Sequence, residues 1–217
     1  KKNIRSRILH LANQVEDVPE EDYEESREAA RSTLEDRAKW LRDTRDEKWR
    51  QKVPPKWNKW TLESLPKPFQ VAANDWIATG FPNASNLVLC GPTGTGKTSM
   101  AYAIGREVYF IGHKVKMWNT AELCDRMRKQ DESAKILEQV KSADLLLLDD
   151  VGSERRTEWV EERLFMVIDH RWQWELPIII TTNITPEELP QVISERVTSR
   201  LLDSAIQINV TGKDYRG

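Results

Sequence analysis

Cysteine is scarce: Cys90 and Cys124 stand alone, far apart and in no Cys-x-x-Cys or Cys/His spacing. That excludes a disulfide framework and a thiolate metal site, and it reads as two reduced thiols in a cytosolic protein. Histidine is as sparse, and His10, His113 and His170 are scattered, so no metal site built from protein ligands alone is expected. No apolar run approaches the ~20 residues a membrane span needs, and the charged start KKNIRSR leads into no signal-like core. The expected compartment is the cytoplasm, with no membrane partner. Neither charge dominates: 33 Lys and Arg against 35 Asp and Glu leave a formal net charge of -2. A polycation that coats nucleic acid non-specifically is excluded, although a local basic stripe is not. Internal repeats and low-complexity tracts are missing too. What the chain has in quantity is charge, 31% of residues, and nine tryptophans.

Composition shifts near residue 60. Residues 16–28 (EDVPEEDYEESRE) are acidic, and the stretch up to Lys59 is mixed and rich in Arg and Lys. From Glu20 to Lys52 there is neither Gly nor Pro, and Leu34, Ala38 and Leu41 share one helical face among charged neighbours. This predicts a long solvated helix with a narrow apolar stripe, ended by VPPKWNKW because paired prolines cannot continue it. Residues 1–60 are read as a helical N-terminal segment and residues 61–217 as a core. Within the core, residues 86–90 (NLVLC), 114–118 (KVKMW), 144–149 (DLLLLD), 177–181 (PIIIT) and 205–210 (AIQINV) read as five strands. Helical patterns fill 98–111, 121–129, 134–142 and 157–174. Strands of near-continuous apolar character alternating with helices imply an α/β fold with a parallel sheet covered on both faces.

The chemistry concentrates in GPTGTGKT, which fits G-x-x-x-x-G-K-[ST] and lies between the strand NLVLC and the helix TSMAYAIGREV. Such a loop turns backbone N–H groups inward around phosphate oxygens, and the helix N-terminus adds favourable potential for an anion. Gly91, Pro92, Thr93, Gly94, Thr95, Gly96, Lys97, Thr98 and Ser99 are therefore the expected binding residues for a nucleoside triphosphate, ATP with Mg2+. Lys97 reaches the β- and γ-phosphates and the Thr98 hydroxyl ligates magnesium. DLLLLDDVG ends an apolar strand on Asp149, at the sheet edge where ligands bind in open α/β folds. Asp149 is the second expected metal ligand, and Asp150 the group that polarises an attacking water. Alone, adjacent carboxylates after a strand are as often a solvated turn. IIITTN places Asn183 beyond another strand, able to orient water, although Thr-Asn there is also an ordinary turn or cap. The following ITPEELP reads as a cap opening a short helix.

The ordered set GPTGTGKT, LLLLDDVG, IIITTN and SERVTSRL resembles the AAA+ ATPases of the DnaC/DnaI helicase-loader and IstB group. The resemblance spans roughly residues 60–217 and extends to TLESL at 61–65 (ATLEN-like), LFMVIDHR at 164–171 (LFxxIDxR) and KDYRG at 213–217 (DSYR-like). It implies a P-loop NTPase core with a five-stranded parallel sheet flanked by helices, no C-terminal helical lid, and a helical N-terminal segment. It also implies that Asp149 and Asp150 are the Walker B acids and Asn183 the sensor-1 residue. Arg200 then corresponds to an arginine finger acting on a neighbouring subunit's γ-phosphate, Arg196 to its helper one turn earlier, and Arg216 to a sensor-2-like contact. A finger acting in trans implies a homo-oligomer. Read without the family, Arg196 and Arg200 are ordinary charges on a surface helix. The second acid is Asp where Glu is common across AAA+ enzymes, and its shorter reach implies slow hydrolysis, with ATP serving more as a switch than as fuel.

For partners, the resemblance implies a replicative hexameric helicase bound through residues 1–60, with Leu34, Leu41 and Trp49 as docking residues. Trp40, Trp57 and Trp60 are candidates to pack on the ATPase body instead. Single-stranded DNA would meet Arg126, Arg128 and Lys129, plus Arg155 and Arg156, with Trp118 and Trp159 as the nearby aromatics. The same residues suit a solvated face. Three other readings stand beside the helicase loader. One is an IstB-like transposition helper, to which an acidic-then-mixed N-terminal segment is less suited than a basic one. The others are a small-molecule P-loop kinase, which needs a lid and acceptor site not visible here, and an adaptor that binds ATP only to fold.

Overall fold

The computed structural model describes residues 20–79, 81, 84–153 and 157–211, with side chains from Arg31 onward. The chain divides into two compact units, Lys1–Lys48 and Trp49–Gly217. The first contains most of helix α1 (Glu20–Lys52), whose uninterrupted helix-forming sequence and i,i+4 pairing, as between Arg31 and Glu35 at 3.1 Å, sustain it. Leu34, Trp40 and Leu41 are exposed on it.

The second unit starts twelve residues before the expected core boundary at residue 61, because Trp49 in the last turn of α1 and Val53 just after it are buried, while Arg50, Gln51 and Lys52 between them stay exposed. Trp49 and Val53 are buried there with Tyr102, and Trp57, Tyr109, Phe110 and Met117 pack around them. Trp49, read from sequence as a docking residue, is thus a core residue at 1% exposure. Trp57 and Trp60 also join this body.

The core follows as α2 (Lys67–Ala78), β1 (Leu87–Cys90), α3 (Lys97–Phe110), β2 (Val115–Asn119), α4 (Thr120–Arg128), α5 (Gln130–Lys141), β3 (Leu145–Asp149), α6 (Glu158–Gln173), β4 (Ile178–Thr182), α7 (Leu189–Ile193), α8 (Glu195–Leu202) and β5 (Ile206–Asn209). All five strands are parallel, in the order β2-β3-β4-β1-β5. Alternate strand residues feed two separate cores. Leu87, Leu89, Leu145, Leu147 and Ile179 meet α2 and α3 on one face. Val88, Leu146, Leu148, Ile178 and Ile180 meet α4 to α8 on the other. Each strand lies within one residue of its expected bounds, and β5 is shorter by a residue at each end. The apolar run at β5 is an edge rather than a covered strand, with Ile206 37% exposed. The short helix expected at ITPEELP begins only at Leu189, after a turn in which Glu188 accepts from the Thr185 amide.

The order matters for chemistry. β4 lies between β1 and β3, so the carboxyl ends of three strands lie side by side and their loops open on one edge of the sheet.

Candidate functional site

The loop after β1 needs glycine for a reason its neighbours reveal. Gly91 has φ +141°, and a Cβ there would lie 2.4 Å from the Val210 carbonyl oxygen, where β5 ends. Gly96, at φ 98°, turns the chain into α3 and caps it in the left-handed region that glycine adopts without strain. The Thr95 hydroxyl donates to the Pro92 carbonyl and is buried, so Thr95 holds the loop's shape. Thr93, Gly94, Gly96, Lys97, Thr98 and Ser99 line a cleft of about 440 Å3, within the range typical of small-molecule sites.

Lys97 is 93% buried, and its ammonium donates to the Gly91 carbonyl, the Pro92 carbonyl and Asn183 Oδ1, each at 2.8 Å. Those acceptors are weak partners for a full charge compared with a phosphate oxygen. Asp149, at the end of β3, accepts from Thr98 Oγ1 at 2.8 Å and from Thr181 Oγ1 at 2.6 Å, both on Oδ1. Burial pushes the Asp149 carboxyl above its ordinary range, and the two hydroxyl donors offset part of that rise. A desolvated carboxylate beside a hydroxyl is a set of hard oxygen donors, which fits Mg2+.

Asp150 takes a left-handed φ of 61°, and its amide donates to Thr181 Oγ1 at 2.9 Å. Asn183 Nδ2 donates to Asp150 Oδ1 at 3.0 Å, so Asn183 links the P-loop lysine to the second acid. The loops after β1, β3 and β4 therefore close one network through Lys97, Asp149, Asp150 and Asn183. Thr181 joins it and was missed from sequence. Its signal was the doubled threonine of IIITTN, where the first faces Asp149 and the second, Thr182, donates to the Val151 carbonyl. Lys56, Trp57, Lys59 and Trp60 also line the cleft, a placement the sequence reading did not anticipate.

Arg196 and Arg200 are not among the residues lining this cleft. They lie one turn apart on α8, and both guanidinium groups cover the Phe165 ring, at 3.5 Å and 4.9 Å from its centre. Arg200 Nε also pairs with Asp169, a residue of LFMVIDHR that sequence reading had assigned no role. Arg216, Arg155 and Arg156 lie outside the described residues. Around α4, Arg126 covers Trp118 and Arg128 covers Trp159, as the sequence placed them. Their charges are matched locally: Arg126 pairs with Glu122 and Glu132, Arg128 with Asp125 and Lys129 with Glu132.

Among the described residues no helix is long and apolar enough to cross a membrane. None holds a cluster of three or more His, Cys, Asp or Glu that could bind a metal unaided.

Comparison with known proteins agrees with this architecture. A family described as IstB-like ATP binding protein matches residues 68–217. The chain is 29% identical over 139 residues to the insertion sequence IS5376 putative ATP-binding protein of Geobacillus stearothermophilus, over 60% of this chain and 55% of that protein. It is 25% identical over 148 residues to the replicative helicase loader DnaC of Escherichia coli strain K12, over 61% of this chain and 60% of the loader. The chain thus spans little more than half the length of either relative. In fold it is similar to the crystal structure of the DnaC helicase loader, with a TM-score of 0.67 at 21% identity, over 73% of this chain and 100% of that one.

Proposed function

The chain belongs to the IstB-like ATP-binding family of AAA+ ATPases, and from that premise we propose that it loads a replicative hexameric helicase onto single-stranded DNA, with ATP as its switch. The ATP-dependent part rests on one observation: Lys97, Asp149, Asp150 and Asn183, from three different strand ends, are linked in one cleft. Bound nucleotide draws the Lys97 ammonium off the loop carbonyls, since phosphate is the stronger acceptor. Thr98 and Asp149 would hold Mg2+, which would offset charge on the phosphate oxygens. Asp150 then polarises water that Asn183 orients, slowly, because an Asp carboxylate reaches less far than a Glu. Arg216 stays with the nucleotide by family resemblance.

Arg200 completes a neighbour's site, with Arg196 beside it. This is supported by its position on α8, whose two arginines are not among the residues lining their own cleft. Single strands meet Trp118 and Trp159, whose covering arginines exchange carboxylate partners for phosphates. The loader reading is supported by the preceding segment, an acidic-to-mixed helix with exposed Leu34, Trp40 and Leu41. A charged helix with an apolar stripe suits protein docking better than duplex binding.

The test is co-purification of the full chain with a replicative hexameric helicase, repeated without residues 1–48. Retention of the helicase by the full chain and its loss on truncation is the expected result. A second reading, a transposition helper, is supported by the insertion-sequence relative. Capture of a transposase, and of no helicase, would establish it and remove the first.

A further inference from the structure

The prolines that end α1 begin a strap that lines the nucleotide cleft. Pro54 has no N–H to donate, but its carbonyl accepts from the amides of Trp57 at 2.9 Å and Asn58 at 3.2 Å, folding residues 54–60 into a compact turn. Trp57 anchors that turn by stacking on Tyr102 of α3, with ring centres 5.6 Å apart and planes 11° from parallel. Trp60 packs against the core cluster to which α2 and α3 contribute. Each tryptophan carries a lysine on its face: Lys56 Nζ is 4.8 Å from the Trp57 ring centre and Lys59 Nζ 5.5 Å from that of Trp60. The tryptophans thus restrain two flexible cationic side chains, lowering the entropy lost when these bind an anion.

Both lysines line the same cleft as Lys97, Thr98, Asp149 and Asp150. Among the described residues neither has a carboxylate within ion-pair reach, in contrast with Arg126, Arg128, Lys129 and Arg200. Two exposed ammonium groups that line the cleft of the phosphate loop, neither ion-paired with a carboxylate among the described residues, have the chemistry of a polyphosphate clamp. We infer that Lys56 and Lys59 form a second phosphate-binding wall of the cleft, contacting the nucleotide's polyphosphate in cis. This rests on the nucleotide reading of the cleft. It extends that reading by making the segment that leads out of α1 part of the nucleotide site.

The experiment is calorimetric titration of MgATP and MgADP into four forms of the full chain: wild type, Lys56→Gln/Lys59→Gln, Lys56→Arg/Lys59→Arg and Lys97→Ala. Both strap lysines are exposed, so the double variants keep the fold. The Gln pair is expected to lose about tenfold or more in ATP affinity, with a shallower salt dependence, and the Arg pair to recover most of it. Unchanged binding by the Gln pair while Lys97→Ala loses it would overturn the clamp and leave the nucleotide reading intact. A loss that arginine does not restore would make the strap a matter of shape and also overturn the clamp. Full binding by Lys97→Ala would overturn the nucleotide reading itself.

Discussion

Arg171 is wholly buried, and its guanidinium donates to the carbonyls of Val140, Ala143, Asp144 and Pro177. Burial lowers its pKa to about 9, yet it stays cationic at neutral pH and ties together α5, the starts of β3 and β4, and α6. Arg171→Met leaves those carbonyls without a donor, so urea unfolding should show a loss of about 3 kcal/mol or more, with ATP affinity per folded molecule unchanged. Asp149 shows the opposite trade. Its folded-state pKa is raised by burial, so ionising it costs stability as pH climbs above the unfolded carboxylate value, and the cost is complete above the folded value. Asp149→Asn keeps an Oδ1 acceptor for Thr98 and Thr181. It should therefore raise the melting temperature of the nucleotide-free protein at pH 7.5 while abolishing the magnesium dependence of ATP binding. At Gly91 a methyl group would meet the Val210 carbonyl oxygen at 2.4 Å. Gly91→Ala should lower stability by about 2 kcal/mol through strain and weaken ATP binding, read by thermal shift with and without nucleotide.

Helix α8 is an example of one element facing two ways. Val197, Thr198 and Leu201 are buried against the core, which turns Arg196 and Arg200 toward Phe165 and Trp172 of α6. The pair Asp169–Arg200 then fixes the guanidinium from α6. If this helix completes a neighbour's site, Arg200→Ala should leave ATP affinity within about twofold and remove on the order of 10³-fold of assembly-dependent hydrolysis. Turnover measured against protein concentration checks this: a wild-type specific rate that is flat down to the monomeric range would sink the assignment. The charges near α4 show why sequence alone overstates a basic surface. Arg126, Arg128 and Lys129 read as a cationic run, but i,i+3 and i,i+4 spacing places Glu122, Asp125 and Glu132 within pairing distance of them, and Glu132 also reaches Arg126 from α5.

Over the full chain, the division at Trp49 gives the truncation a defined consequence. The unit Trp49–Gly217 holds both hydrophobic cores, the sheet and every described residue of the nucleotide cleft. Removal of residues 1–48 should therefore leave MgATP affinity unchanged by titration while abolishing helicase co-purification. Removal of residues 1–60 should also expose Tyr102 and weaken nucleotide binding, because it takes away Trp49, Val53 and the lysine strap.

Local pattern sufficed for the strands of the core and for the helices between them, because apolar runs bounded by turns and helical periodicity are properties of short segments. Helix α2 (Lys67–Ala78), ahead of β1, was not read. GPTGTGKT, LLLLDD and the Asn of IIITTN were legible for the same reason: each places its polar groups immediately after a strand. The tertiary structure decided which of these groups meet. Only the insertion of β4 between β1 and β3 brings Asn183 to Lys97 and Thr181 to Asp149, residues separated by 86 and 32 positions. It also decided that Trp49 to Trp60 belongs with the core, that Asp169 holds Arg200, and that Lys56 and Lys59 face the cleft. Local periodicity records which way a side chain points relative to its own element. Its partner comes from another part of the chain, and only packing brings the two together.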